Sequence, residues 1–255
     1  MKKMTTRQVV TIIITLLTIV LNVLANALPF NGQGTGEISD RFAILFVPAG
    51  YVFSIWFLIY VGLIAFTVFQ ARPAHAHNQL LDRIAPFYWV ANMANNVWLF
   101  FWHWEYFPLT LLAMLIILVS LALLYLQIRK NEKSLTPAEK RNVKLPFSVY
   151  LGWISVATIA NVTQVLYFIG WNGFGLTPEI WTVIMLLVAT VVGLLMLLRE
   201  KDIAFALVLV WAFIGIADKQ AAFLTASRTA WLAGGLILLV IALTAVKLLR
   251  LRKEA

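Results

Sequence analysis

Amide and indole side chains are concentrated in one apolar stretch of the chain. Asn92, Asn95 and Asn96 stand within five residues, and Trp98 and Trp102 follow them. At roughly 100° per residue, Asn92, Asn95 and Trp102 share a helical stripe, with Trp98 at its edge and Asn96 just across it. An amide both donates and accepts hydrogen bonds, and an indole ring offers a flat apolar surface. Such a stripe suits recognition of a flat hydrophobic molecule that carries a few polar groups.

Two further apolar stretches carry aromatic and polar stripes of the same kind. Their members are Phe53, Trp56, Tyr60 and Thr67 in the first, and Tyr150, Trp153, Ala157, Asn161 and Gln164 in the second. One interpretation is helix packing, because amides bond across membrane helices and Trp and Tyr favour the membrane interfaces. The other is an aromatic-walled ligand pocket whose amides fix the orientation of the ligand. Three such stripes favour the pocket.

Other chemistry finds little support in the sequence. The chain has no cysteine and three histidines, and its carboxylates do not cluster. It therefore lacks a thiolate site, and a transition-metal site is disfavoured. The sequence contains no nucleophile elbow, phosphate loop or zinc-protease motif. No catalytic acid, base or nucleophile can be named from it.

Asp218 and Lys219 are the charged exception near the end of an apolar run. We interpret them as an interfacial pair, with the lysine reaching toward water. A membrane lysine could instead carry a retinal Schiff base, but the third helix offers no counter-ion because Glu105 falls in a loop. The alternative function is a secondary transporter or channel for a small solute. Such proteins usually show intramembrane charges or broken helices near the midplane.

Eight apolar runs must position these side chains. The chain is 62% hydrophobic and 12% charged, against about 25% charged in a soluble domain, and its mean hydropathy is +0.89. A bilayer core needs roughly 20 apolar residues per helix. The runs cover 8–28, 46–71, 84–103, 107–128, 145–169, 179–198, 203–222 and 229–249. We therefore predict an all-α, polytopic membrane bundle of about eight transmembrane helices, with prolines such as Pro86 near the helix ends.

The charges between the runs predict the orientation. With a cytoplasmic N-terminus, all basic residues except Arg41, Lys219 and Arg228 fall on the cytoplasmic side, as the positive-inside rule requires. Both termini and loop 129–144 are then cytoplasmic, and residues 134–139 form a turn and a short helix start. The charged residues that give the net charge of +9 lie between the apolar runs, and this distribution argues against a nucleic-acid partner. The first run has features of a signal peptide, but its apolar part is long, so we interpret it as a retained helix.

Three segments carry a resemblance to a known family. They are Pro48–Trp56 with Tyr60, the stretch 92–101 with its Asn95-x-x-Trp98 motif, and Trp153-x-Ser-x-Ala-Thr-x-x-Asn161. In these segments the sequence resembles the tryptophan-rich sensory protein family, the bacterial relatives of the mitochondrial translocator protein (peripheral-type benzodiazepine receptor). Ala49 and Tyr51 replace the second proline and the tryptophan of the family motif, which is typical of a divergent branch.

The resemblance implies an architecture and a site. It implies a five-helix bundle over 1–169 and a homodimer. The three additional helices and the basic tail over 170–255 are predicted from the apolar runs and have no counterpart in the five-helix members of the family. The resemblance also implies binding or sensing of a tetrapyrrole- or sterol-like molecule within the lipid bilayer, with assistance to its transport or turnover. Carried over by position, the ligand-binding residues are Trp56, Asn92, Asn95, Trp98, Trp153, Ala157 and Asn161. No metal, and no cofactor other than a tetrapyrrole ligand, is implied.

Overall fold

The computed structural model describes residues 3–28 and 30–253. Eight long helices run through them, and we label these α1 to α8 in chain order. They are α1 (Thr6–Ala27), α2 (Ile55–Ala71), α3 (Gln79–His103), α4 (Phe107–Lys130), α5 (Leu145–Phe168), α6 (Pro178–Glu200), α7 (Ile203–Lys219) and α8 (Leu224–Lys253). All eight match predicted runs, which confirms the all-α fold.

Six of these helical stretches are long and apolar enough to cross a membrane. They comprise α1, α2 with the turn before it, α4, α5 with the turns before it, α6, and α8. Of the other two, α3 carries the three asparagines and α7 has 17 residues. The chain is therefore a multi-pass membrane protein.

Short helical turns occupy the connections. They are 3₁₀ turns at Phe30–Gly32, Gly50–Ser54, Pro73–His75, Glu132–Ser134 and Gly173–Gly175, helices Thr35–Asp40 and Pro137–Glu139, and a π-helical turn at Lys140–Lys144. The Thr136 hydroxyl accepts from the Glu139 N–H, and the Glu139 carboxylate accepts from the Thr136 N–H. This capping box confirms the helix start predicted within 134–139.

Two helix starts differ from the sequence-based prediction. The run from 46 was expected to be helical, but α2 begins only at Ile55, because Pro48 and Gly50 disfavour a helix interior. In contrast, α3 begins at Gln79, where the Asn78 side chain accepts from the Leu81 N–H at 3.1 Å. Pro86 consequently lies inside α3, and its predicted place near a helix end is wrong.

The helices form two compact units. Unit 1 comprises Met1–Ala43 and Ser54–Ile154, and unit 2 comprises Ile44–Phe53 and Ser155–Ala255. In unit 1, α3 packs against α4 and α1, and α1 also packs against α2. In unit 2, α8 packs against α7 and α6, which also contact each other. The domain boundary predicted at 169/170 stays a prediction.

Arg7 joins the ends of three helices in unit 1. Its Nε lies 2.8 Å from Asp82 Oδ1 of α3, and its Nη1 donates to Gln70 Oε1 of α2 at 3.0 Å. Its Nη2 donates to the His75 carbonyl between those helices at 2.6 Å. A planar guanidinium presents five donors in fixed directions, so one side chain near the start of α1 fixes the turn between α2 and α3.

Candidate functional site

Aromatic side chains of α2 and α5 meet in unit 1. The Trp56 ring lies with its centroid 6.4 Å from that of Trp153 and 6.0 Å from that of Tyr150, both in edge-to-face geometry. Tyr60, one turn along α2, stacks on Trp56 at 5.6 Å. Trp56 and Tyr60 are half-buried, whereas Tyr150 and Trp153 are buried. Two of the predicted ligand-binding residues, Trp56 and Trp153, are thus brought together in an aromatic cluster.

A glycine allows α2 and α5 to approach each other closely. A Cβ atom placed on Gly62 would stand 3.0 Å from the Cβ of Pro146, so a larger residue would push the two helices apart. Near this crossing, Phe66 of α2 contacts Phe147 of α5 at 4.8 Å. Trp56 and Trp153 stand six and seven residues from this contact along α2 and α5.

The asparagines of α3 face the interior, as their stripe predicted. Asn92, Asn95 and Asn96 are all buried. Asn95 Oδ1 accepts from Asn22 Nδ2 of α1 at 2.9 Å. Asn92 Nδ2 donates to the carbonyl of Tyr88 in its own helix at 2.8 Å. Asn95 therefore performs the packing role that was the alternative to ligand binding.

A polar stripe on α1 was not predicted from the sequence. Its buried members stand three or four residues apart and are Gln8, Thr11, Thr15, Thr18 and Asn22. Thr15 Oγ1 lies 2.6 Å from the Tyr88 hydroxyl of α3 and 2.8 Å from Thr67 Oγ1 of α2. The alternating spacing of three and four is the signal that could have revealed this face.

Trp98 lies in a second aromatic group, at the end of α3. It stacks on Trp102 at 4.9 Å, and Trp102 contacts Phe107 of α4 at 5.9 Å. The Trp102 indole N–H donates to the Thr35 carbonyl at 3.1 Å, which ties the short helix Thr35–Asp40 to α3. Trp98 is therefore part of the packing beneath the loop that joins α1 and α2.

That loop is fixed at further points. Asn31 Nδ2 donates to the His103 carbonyl at 3.0 Å, and Thr35 Oγ1 lies 3.3 Å from His103 Nε2. Arg41 forms an ion pair of 2.9 Å with Glu105. The loop thus rests on the end of α3 through backbone, ring and charged contacts.

Ala157 and Asn161 belong to the part of α5 assigned to unit 2. They follow Trp153 at intervals of four residues, so the three share one face of a continuous helix. Asn161 is buried and Ala157 half-buried. Five of the seven predicted site residues therefore lie in unit 1 and two in unit 2, and their role in ligand binding stays a prediction.

The segment before α2 contributes to unit 2 rather than unit 1. The Ala49 N–H donates to the Gly215 carbonyl of α7 at 3.0 Å, and the Trp211 indole N–H donates to the Val52 carbonyl at 3.1 Å. Tyr51 contacts Trp211 edge-to-face at 5.6 Å. Trp211 and Gly215 were not anticipated, although their spacing of four residues places them on one face of an apolar helix.

The charged pair at the end of α7 is consistent with the interfacial interpretation. Asp218 and Lys219 are both exposed, and Gln220 beside them is buried. A lysine side chain in such a place keeps its ammonium group in a polar environment.

Sequence comparison assigns the family. A model of the TSPO-like protein family matches residues 8–245. The match continues through α6, α7 and most of α8, beyond the segments in which the resemblance was first evident. No curated protein and no solved structure matches the chain. Because the family match spans nearly all of the described helices, the chain belongs to the TSPO-like protein family.

Proposed function

We propose that this membrane protein binds a planar hydrophobic small molecule, tetrapyrrole- or sterol-like, beside Trp56 and Trp153. The observation that carries the proposal is the edge-to-face contact of these two indoles at 6.4 Å. Ligand sites are mostly apolar, with a few polar groups that fix orientation. The cluster of two tryptophans and two tyrosines supplies the apolar part of such a site.

The rings favour a flat ligand for an energetic reason. An offset or edge-to-face aromatic pair contributes about 0.5–1.5 kcal/mol beyond the burial of its apolar area. A flat molecule can meet several rings at once, and the half-buried Trp56 and Tyr60 present part of their surface to it. A hydrophobic ligand partitions into the bilayer, so it can reach these rings from the lipid.

The remaining parts of the proposal rest on the family and on helix geometry. Ala157 and Asn161 follow Trp153 at intervals of four residues along α5, and their part in ligand binding is proposed from the family resemblance alone. Sensing, transport or turnover of the ligand and assembly as a homodimer complete the proposal. They follow the resemblance to the tryptophan-rich sensory proteins.

Fluorescence quenching by a porphyrin tests the proposal. Protoporphyrin would be titrated into wild type, Trp56→Ala and Trp153→Ala in lipid nanodiscs. Trp231→Ala is the control, because it also removes one indole but stands exposed on α8. We expect the Kd to rise about tenfold or more for the two site variants, since about 1.4 kcal/mol corresponds to a tenfold change. Equal affinity in all four folded proteins would refute the site.

A further inference from the structure

Three buried oxygen atoms on α1 and α3 have no hydrogen-bond partner among the described residues. They are Thr18 Oγ1 on α1 and Asn92 Oδ1 and Asn96 Oδ1 on α3, and the three residues are 1%, 0% and 4% exposed. Other polar groups of the same two helices are satisfied, for example in the 2.9 Å bond from Asn22 to Asn95. Buried polar groups in native proteins are nearly always hydrogen-bonded, so three such oxygens call for an explanation.

Asn92 and Asn96 lie on the face of α3 that packs against α1. The Tyr88 hydroxyl lies 2.6 Å from Thr15 Oγ1, and the Trp89 indole N–H donates to another threonine hydroxyl of α1 at 2.9 Å. Trp89 stands about 100° around the helix from Tyr88. Asn92 and Asn96, at roughly 40° and 80° on the same scale, fall between these two residues. Both asparagines are therefore on the arc that contacts α1.

Thr18 lies on the matching face of α1. Thr15 contacts Tyr88, and seven residues further along each helix a second contact joins Asn22 to Asn95. The equal steps mean that α1 and α3 run in the same direction where they touch. Thr18 follows Thr15 by three residues and precedes Asn22 by four, which is the spacing of one helical face. It therefore stands between two contacts with α3.

The three oxygens lie close enough for one small molecule to reach them. Thr18 stands four residues before Asn22 on α1, and Asn92 stands three residues before Asn95 on α3. At about 1.5 Å per residue these steps are roughly 6 Å and 4.5 Å, so Thr18 and Asn92 lie at nearly the same level. Asn96 is one turn beyond Asn92, and the Cβ atoms of such a pair are about 5–6 Å apart. An atom between the two amide oxygens can therefore bind both.

The hydrogen-bonding capacity of the three groups defines what can bind between them. Asn92 Nδ2 donates to the Tyr88 carbonyl at 2.8 Å, which fixes the direction of the amide and leaves Oδ1 as an acceptor. The amide oxygen of Asn96 is likewise an acceptor, and the Thr18 hydroxyl donates or accepts. The missing partner therefore offers two donors and one acceptor, which is the pattern of a water molecule.

The surroundings favour a neutral molecule over a cation. Within α1 and α3, both described throughout, Asp82 is the only acidic residue, and it is already paired with Arg7 at 2.8 Å. Asp82 stands ten residues before Asn92, roughly 15 Å along the helix. A cation buried between the helices would therefore lack a counter-charge, which costs far more than burial of a neutral hydrogen-bonding molecule.

We propose that one ordered water molecule is bound between α1 and α3, near the middle of the membrane. The water donates to Asn92 Oδ1 and Asn96 Oδ1 and accepts from the Thr18 hydroxyl. About three hydrogen bonds are typical of a buried water. Thr18 stands near the centre of α1, so the water links the two helices at a depth where lipid offers no hydrogen-bonding group. The site needs no ligand beside Trp56 and is independent of the proposed function.

Thr18→Val tests the site through the sign of its effect on stability. Valine replaces the hydroxyl by a methyl group of similar size. If the hydroxyl donates to the water, its loss should raise the equilibrium constant of unfolding in detergent about fivefold, as for a typical hydrogen bond. If the hydroxyl has no partner, its removal relieves a buried polar group, and unchanged or higher stability of the variant would overturn the site.

A double-mutant cycle of Thr18→Val with Asn96→Leu shows whether one molecule joins the two helices. A shared water should make the two substitutions non-additive by about twofold or more in the unfolding constant, since either one already disturbs the water. Thr190→Val replaces Thr18→Val in the control cycle, because Thr190 is buried and donates to the Leu186 carbonyl of its own helix at 2.6 Å. Additive effects in both cycles would overturn the shared water.

Direct observation identifies the bound molecule. A high-resolution structure in lipid should show one density peak about 2.5–3.0 Å from all three oxygens, the distance of an O–H···O bond. A map without such a peak would overturn the site. Stability should be the same in sodium chloride and in choline chloride. A saturable gain with sodium that Thr18→Val abolishes would assign a cation to the site and overturn the water.

Discussion

The side-chain amide of Asn22 donates a 2.9 Å hydrogen bond to Asn95 and so joins α1 to α3. Both residues are buried, and Asn22 also donates to the Thr18 carbonyl of its own helix. Asn95 was expected to contact a ligand. Its bond to Asn22 gives the same residue a part in holding the bundle together.

A double-mutant cycle measures how much the hydrogen bond between Asn22 and Asn95 contributes to stability. Asn22→Ala, Asn95→Ala and the double variant should show a coupling of about 0.6 kcal/mol in the free energy of unfolding, the average for bonds between membrane helices, and at most about 1.7 kcal/mol. Asn26→Ala is the control, because the Asn26 side chain donates to the Asn22 carbonyl one turn earlier in the same helix and so joins no two helices by that bond. Strictly additive effects of Asn22→Ala and Asn95→Ala would contradict a bond between them.

Gly215 should tolerate no side chain. A Cβ atom at this position would overlap with Val52 and crowd Pro48, and overpacking typically costs about 1–3 kcal/mol. Gly215→Ala should therefore lower the unfolding temperature in detergent. Gly235→Ala is the matched control: among the described residues, no atom outside its immediate helical neighbourhood lies within 4 Å of its Cβ position. Alanine also stabilises a helix interior by about 0.5–1 kcal/mol over glycine. Equal stability of the two variants would contradict the docking of segment 44–53 on α7.

Arg7 should stabilise the folded protein as well as fix the turn between α2 and α3. Asp82 is 53% exposed, so the ion pair itself contributes little. The bonds to Gln70 and the His75 carbonyl are bonds of a charged donor, which contribute about 1.5–3 kcal/mol each. We expect Arg7→Ala to lower the free energy of unfolding by about 2 kcal/mol or more. Arg83→Ala removes the same charge from an exposed position. A similar loss of unfolding free energy in that variant would contradict a stabilising role for the Arg7 hydrogen bonds.

The orientation can be tested with single cysteines, because the chain has none of its own. Gly36→Cys lies at an exposed position between α1 and α2, and Ser134→Cys at an exposed position between α4 and α5. Ser39 is buried, so a cysteine there would label poorly. We expect an impermeant thiol reagent to label Gly36→Cys in intact cells and Ser134→Cys only after lysis. The reverse pattern would overturn a cytoplasmic N-terminus.

Helices were predictable because an apolar run of about 20 residues has few alternatives in a bilayer. The start of α2 was less predictable. The apolar stretch 46–53 was predicted to be helical, yet it contacts α7 through bonds such as that from the Ala49 N–H to the Gly215 carbonyl. Hydrophobicity does not distinguish burial by protein from burial by lipid.

The candidate site was predictable only in part. Stripes indicate which side chains share a face, and the stripe on α3 correctly predicted that Asn92 and Asn95 face the interior. They cannot show which helix meets that face. The partner of Asn95 proved to be Asn22, and Trp56 proved to contact Tyr150 and Trp153. These pairings are fixed by packing over long sequence distances.

The attachment of segment 44–53 to α7 has a consequence for biosynthesis. Val52 and Trp211, which share a hydrogen bond, are 159 residues apart in the chain. At about 5–20 residues per second, the ribosome takes roughly 8–30 s to bridge that interval. During that time, α7 has not yet been synthesised, so the segment that contains Ile44, Phe46 and Val47 has no helix on which to dock. Nascent chains halted before α7 should therefore expose this segment to proteases and chaperones, and chains released after α7 should protect it.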